Sequence, residues 1–91
     1  MSCLLPILQA YARCLFLLQT HPNSQPLQSC KAQLEYLQEL VDGGRQDIDR
    51  LNDIILGRYA AGEFESLDMG FAEMLYAVED VVKILKTEHR C

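Results

Sequence analysis

Apolar side chains recur at intervals of three and four along this whole chain, and the pattern breaks at only three places. That spacing belongs to helices with one buried face. A strand would alternate with period two, and no useful run does so. The breaks are His21-Pro22-Asn23-Ser24-Gln25-Pro26, then Gly43-Gly44, then Gly62. Proline removes a helix donor and crowds the turn before it, while a glycine past a last turn takes the left-handed cap at no steric cost. Four helices are therefore expected, at about 4–19, 27–42, 48–61 and 69–87. Four amphipathic helices with short connections imply an all-α fold, a compact antiparallel four-helix bundle forming one domain over residues 1–91.

Each segment brings its own stripe. The first lines up Leu4, Leu8, Tyr11, Leu15 and Leu18, with Leu5, Ala12 and Phe16 beside them, and Pro6 suits its first turn. It is apolar nearly all round, so it is expected to be the most buried helix or to cover a partner. The second spaces Leu27, Cys30, Leu34, Leu37 and Val41 by 3-4-3-4, a seam for near-parallel packing. In the third, Asp47 is the expected cap and Ile48, Leu51, Ile55 and Tyr59 the stripe, with Ile54 next to it. Gly57 inside it costs about 1 kcal/mol relative to alanine, which points to a close helix contact or a bend. Asp68 or Ser66 caps the fourth, whose broad face is Phe71, Met74, Leu75, Val78, Val81, Val82 and Leu85; Glu79 and Lys83 form an i,i+4 pair on it.

Charge is the second constraint. Eight Lys and Arg face thirteen Asp and Glu, for a net charge of −5. Residues 35–80 alone carry twelve acids and three bases. Such a chain has no basic concentration to release counterions from nucleic acid, but its field draws a basic partner. Glu35, Glu39 and Asp42 form an acidic row on the second helix, and Asp49 and Asp53 a like-charge i,i+4 pair on the third.

The chemistry-bearing residues are sparse. Cys3, Cys14, Cys30 and Cys91 form no C-x-x-C pair, and His21 and His89 lie far from any cysteine pair, so no metal is expected. The cysteines read as small apolar residues kept reduced in a cytosol. Nothing pairs a nucleophile with a base, and Glu63 and Glu65 share a short solvated connection, so neither catalysis nor a cofactor is expected. Met1–Leu8 is apolar, but no base precedes it, Pro6 interrupts it and Arg13 soon follows; the chain reads as unprocessed, cytoplasmic and without a membrane span.

A resemblance adds to this reading. Gln33-Leu34-Glu35-Tyr36-Leu37, Leu51, Leu56-Gly57-Arg58-Tyr59-Ala60, Glu63-Phe64 and Asp68 resemble the small immunity proteins of bacterial type VI secretion, in particular those that neutralise an NAD(P)-glycohydrolase effector toxin. The likeness spans roughly residues 27–75. It implies a helical protein without catalysis of its own that binds a cognate effector toxin domain in the cytoplasm and occludes its active site. The face expected to do so is Glu35, Glu39, Asp49, Asp53, Tyr59, Glu63 and Glu65, with Tyr36 and Phe64 as apolar anchors. The alternative is a self-associating adaptor that buries the first helix in a homodimer.

Overall fold

In the computed structural model, which describes residues 3–88, helix α1 spans Leu4–Thr20, α2 Gln25–Val41, α3 Leu56–Tyr59 and α4 Met69–Glu88. The expectations for His89 and Cys91 lie outside the described residues. No strand occurs among the described residues. The four-helix, all-α bundle expected from the sequence is the fold observed.

The caps explain where the helices stop. Ser24 precedes α2, and its hydroxyl accepts the Leu27 N–H at 3.3 Å. Helix α2 thus starts two residues earlier than expected, because Pro26 sits in its first turn, where a missing N–H costs nothing. At the other end Gly43 takes φ +88°, the Gly44 N–H reaches the Glu39 carbonyl at 2.8 Å, and the Gly43 N–H reaches that of Leu40 at 3.3 Å. This is the paired closure of a Schellman motif, as the double glycine implied. Asp68 caps α4 through the Phe71 N–H at 3.0 Å.

The third segment departs from a continuous helix over 48–61. Ile48–Asp53 is a 3-10 turn, Ile54 is extended, and α3 runs directly into a π turn over Ala60–Phe64, closed by the Glu65 N–H on the Ala60 carbonyl at 3.0 Å. The register therefore shifts. Leu51, Ile54, Leu56, Ala60 and Phe64 are buried, whereas Ile48 is exposed and Ile55 and Tyr59 are half-buried. Asp47 precedes the turn but caps it with no side-chain bond; its carboxylate is held by Arg45 instead. In a 3-10 turn residues four apart stand about 120° apart around the axis, so Asp49 and Asp53 do not share a face as an α-helix would impose.

The core is otherwise close to expectation on α2 and α4. Leu27, Cys30, Leu34 and Leu37 are fully buried, as are Phe71, Leu75 and Val78. Gly57 marks a close approach: a Cβ there would stand 3.1 Å from Cγ and Oε2 of Glu79. Glu79 therefore turns toward α3, and no Glu79–Lys83 ion pair is present. On α1 the stripe is misplaced. The buried line is Ile7, Ala10, Cys14 and Leu17, while Leu5, Leu8, Leu15 and Phe16 are exposed. Ala10 and Cys14 are small, which lets α1 approach its neighbours closely.

One cysteine expectation is corrected. Cys3 is disulfide-bonded, whereas Cys14 and Cys30 are free and fully buried. Cysteine spacing carries no sign of this, because a disulfide needs nearness in space and not in sequence.

Candidate functional site

Two polar residues of α2 build the irregular third segment. The Gln33 side-chain oxygen accepts the Ile55 N–H at 2.9 Å, and its Nε2 donates to Ser29 Oγ at 3.0 Å. The Tyr36 hydroxyl donates to the Asp47 carbonyl at 2.7 Å. Two guanidinium groups stand over the Tyr36 ring, Arg45 at 5.2 Å and Arg50 at 5.1 Å from its centroid. Burial and the nearby Asp47 carboxylate raise the Tyr36 phenol above its ordinary pKa. Between α2 and the 3-10 turn lies a groove of about 230 Å³ lined by Ser29, Ala32, Gln33, Tyr36, Arg50, Asp53 and Ile54.

That groove brings together Tyr36 and Asp53 from the expected site. The remaining residues are distributed elsewhere. Glu35 accepts from Lys31 Nζ at 2.8 Å and from the Tyr11 hydroxyl at 2.7 Å, bonds that hold its carboxyl below the ordinary range. Glu39 is exposed, 3.8 Å from Arg45, and lines a second groove of about 260 Å³ with Leu4, Leu8, Gln38 and Asp42. Asp49 lines a third with Ile48, Leu51, Asn52 and Lys86. Glu63 and Glu65 are exposed on the π turn and just after it, Glu65 accepting the Tyr76 hydroxyl. Tyr59 is half-buried against the core.

Tyr36 and Phe64 are not exposed anchors. Tyr36 is 4% exposed and Phe64 1%. The π turn rotates Phe64 inward, where its ring meets Phe71 edge-on at 4.9 Å between centroids. A continuous acidic face assumed a continuous third helix, and the break at Ile54 removes that premise.

The sequence reading did not assign the outer face of α1 its exposure. Leu5 is 57% and Phe16 53% exposed, with Leu8 and Leu15 also in solvent. The available signal was that α1 is apolar nearly all round, which leaves one side uncovered whichever stripe packs inward. Among the described residues, no three His, Cys, Asp or Glu converge on a metal position, and no helix is long and apolar enough to cross a membrane.

Shallow grooves, an acidic surface and an uncovered apolar helix face are the features of a small helical bundle that presents surfaces for contact. The Tsi6 family model matches residues 5–84, and the chain belongs to that family, a family of type VI secretion immunity proteins. No curated protein and no solved structure matches the chain.

Proposed function

We propose that the protein binds the cognate effector toxin of a type VI secretion system, without catalysis of its own, and blocks access to the toxin's active-site cleft. Family membership carries this reading. The charge supports it independently: a toxin that consumes NAD(P) must cradle phosphates with basic side chains, and residues 35–80 carry twelve acids against three bases. Glu35, Glu39, Asp49, Asp53, Glu63 and Glu65 supply that field from several sides of the bundle. The resemblance in Gln33-Leu34-x-Tyr36 and Leu56-Gly57-x-x-Ala60 favours an NAD(P)-glycohydrolase as the toxin.

The test is co-expression with the C-terminal domain of the effector encoded beside this protein. A stable complex, restored growth and preserved NAD(P) pools are expected. No complex would end the immunity reading. A complex with a toxin that leaves NAD(P) untouched would end only the choice of toxin.

An NAD(P)-consuming toxin acts in the cytoplasm, and we place its inhibitor there. The Cys3 disulfide favours a second compartment, since such bonds persist in an oxidising space such as the periplasm. Trapping of free thiols at the moment of cell lysis separates the two: Cys3 alkylated means cytoplasm, Cys3 protected means an oxidising compartment.

A further inference from the structure

The uncovered apolar surface of this fold and one of its unsatisfied buried polar groups meet at one edge of α1. Leu5, Leu8, Leu15 and Phe16 recur at helical spacing, so they run along one side of α1, and all are exposed. Arg13 is the sole charged residue of α1. The acids at its border come from α2: Glu39 and Asp42 line the groove that also holds Leu8. In the same groove Gln38 has a buried Nε2 with no hydrogen-bond partner. A buried donor left unmade is costly, and an incoming acceptor would recover that cost. Glu39 has one distant basic neighbour, Arg45 at 3.8 Å, and Asp42 makes no ion pair among the described residues.

An apolar centre bordered by charge is the anatomy of a protein interface. Resting on the immunity reading above, we infer that the outer face of α1, with Glu39 and Asp42 at its edge, is the surface that docks the toxin domain. The matching toxin surface is apolar at its centre, carries Lys or Arg beside it, and offers an oxygen to Gln38 Nε2. A second copy of this chain fits the surface less well. Two copies, each of net charge −5, repel at long range, and Arg13 is already bonded to Asp68 at 2.6 Å and so brings no free cation to the carboxylates.

The test is titration calorimetry of the toxin domain with four proteins: wild type, Leu8→Ser/Phe16→Ser, Glu39→Lys/Asp42→Lys, and Ile84→Glu as an exposed apolar control on α4. Circular dichroism checks that each is folded, and Leu5→Ser is a milder probe of the same face. The α1 double variant should bind roughly thirtyfold more weakly or worse, the charge-reversed one about tenfold more weakly, and the control unchanged. If wild type binds and both double variants stay within about threefold of it, the surface is wrong while the immunity reading stands. If wild type itself does not bind, the immunity reading fails and this inference with it. If light scattering shows a dimer that Leu8→Ser/Phe16→Ser dissociates without loss of toxin affinity, the occupant is a second copy and the proposal is overturned.

Discussion

The side-chain oxygen of Gln33 accepts the backbone N–H of Ile55 at 2.9 Å, tying α2 to the point where the third segment changes from a 3-10 turn to a helix. The bond satisfies a donor at a place where the chain offers it no regular partner. Gln33→Ala should therefore destabilise the fold by about 1–3 kcal/mol, the cost of an unmet, partly buried N–H. Gln33→Glu keeps an acceptor oxygen and should lose less. Urea unfolding measures the difference, and hydrogen exchange should speed up at Ile55 before it does in α4.

Asp68 serves two elements at once. Its Oδ1 accepts the Phe71 N–H at 3.0 Å, while Oδ2 accepts from Nε and Nη2 of Arg13 on α1 at 2.9 and 2.6 Å. Burial pushes its pKa upward, but the Phe71 N–H and the Arg13 guanidinium outweigh burial and hold it below the ordinary 3.8. A depressed carboxyl pKa stabilises the fold above pH 3.8, and that stability is lost as pH falls through the lower folded value. Asp68→Ala should cost about 1–2 kcal/mol at neutral pH through the lost cap. Asp68→Asn, which retains an oxygen for Phe71, should cost less and flatten the acid limb of a stability–pH curve.

Helices α2 and α4 were legible in the sequence because apolar spacing and caps agree there, and α1 was legible in its extent. Ser24, Gly43 and the Asp68 bond to the Phe71 N–H all act locally, within a turn of the residues they serve. The third segment was not legible, because its shape is imposed from α2 by Gln33 and Tyr36, residues 22 and 11 positions from their partners. With the register shifted, Phe64 moves from a supposed surface anchor to the core. The inward side of α1 was equally ambiguous: when nearly every position is apolar, periodicity alone selects no face, and Ala10 and Cys14 win by being small. For the site, charge was readable, but its scattering over separate parts of the surface was not.

Gly57 and Glu79 form a steric pair. A Cβ on residue 57 would approach Glu79 Cγ and Oε2 at 3.1 Å. Alanine gains about 1 kcal/mol over glycine in a helix, and the contact opposes that gain. Gly57→Ala should thus be destabilising in the wild-type background and stabilising by up to about 1 kcal/mol when Glu79 is also alanine. Thermal unfolding of the double-mutant cycle reads the sign change. Equal effects in both backgrounds would mean that Glu79 moves aside freely.

The three described cysteines should behave differently. Burial pushes the Cys14 thiol up to about 11 and the Cys30 thiol up to about 12. At pH 8 only on the order of one molecule in a thousand would carry a Cys14 thiolate, and fewer a Cys30 thiolate. Iodoacetamide should label both only after denaturation. Cys3, being bonded, should become labelled after reductant alone, with a loss of about 2–4 kcal/mol in stability. Cys3→Ser should make stability insensitive to reductant, as followed by mass spectrometry and urea melts.

Phe64 separates folding from binding. It is buried, packs edge-on against Phe71, and follows directly from a four-residue helix through a π turn. Phe64→Ala removes that ring contact and opens a cavity, which should cost about 3–5 kcal/mol. Phe64→Leu refills most of the volume and should cost less. Were Phe64 an anchor on the toxin, the alanine variant would bind weakly even at temperatures where it is fully folded. The structure places it out of reach, so the affinity of the folded fraction should match wild type. Calorimetric titration at low temperature, after circular dichroism confirms native helix content, decides this: a loss of tenfold or more in the folded variant would return Phe64 to the interface.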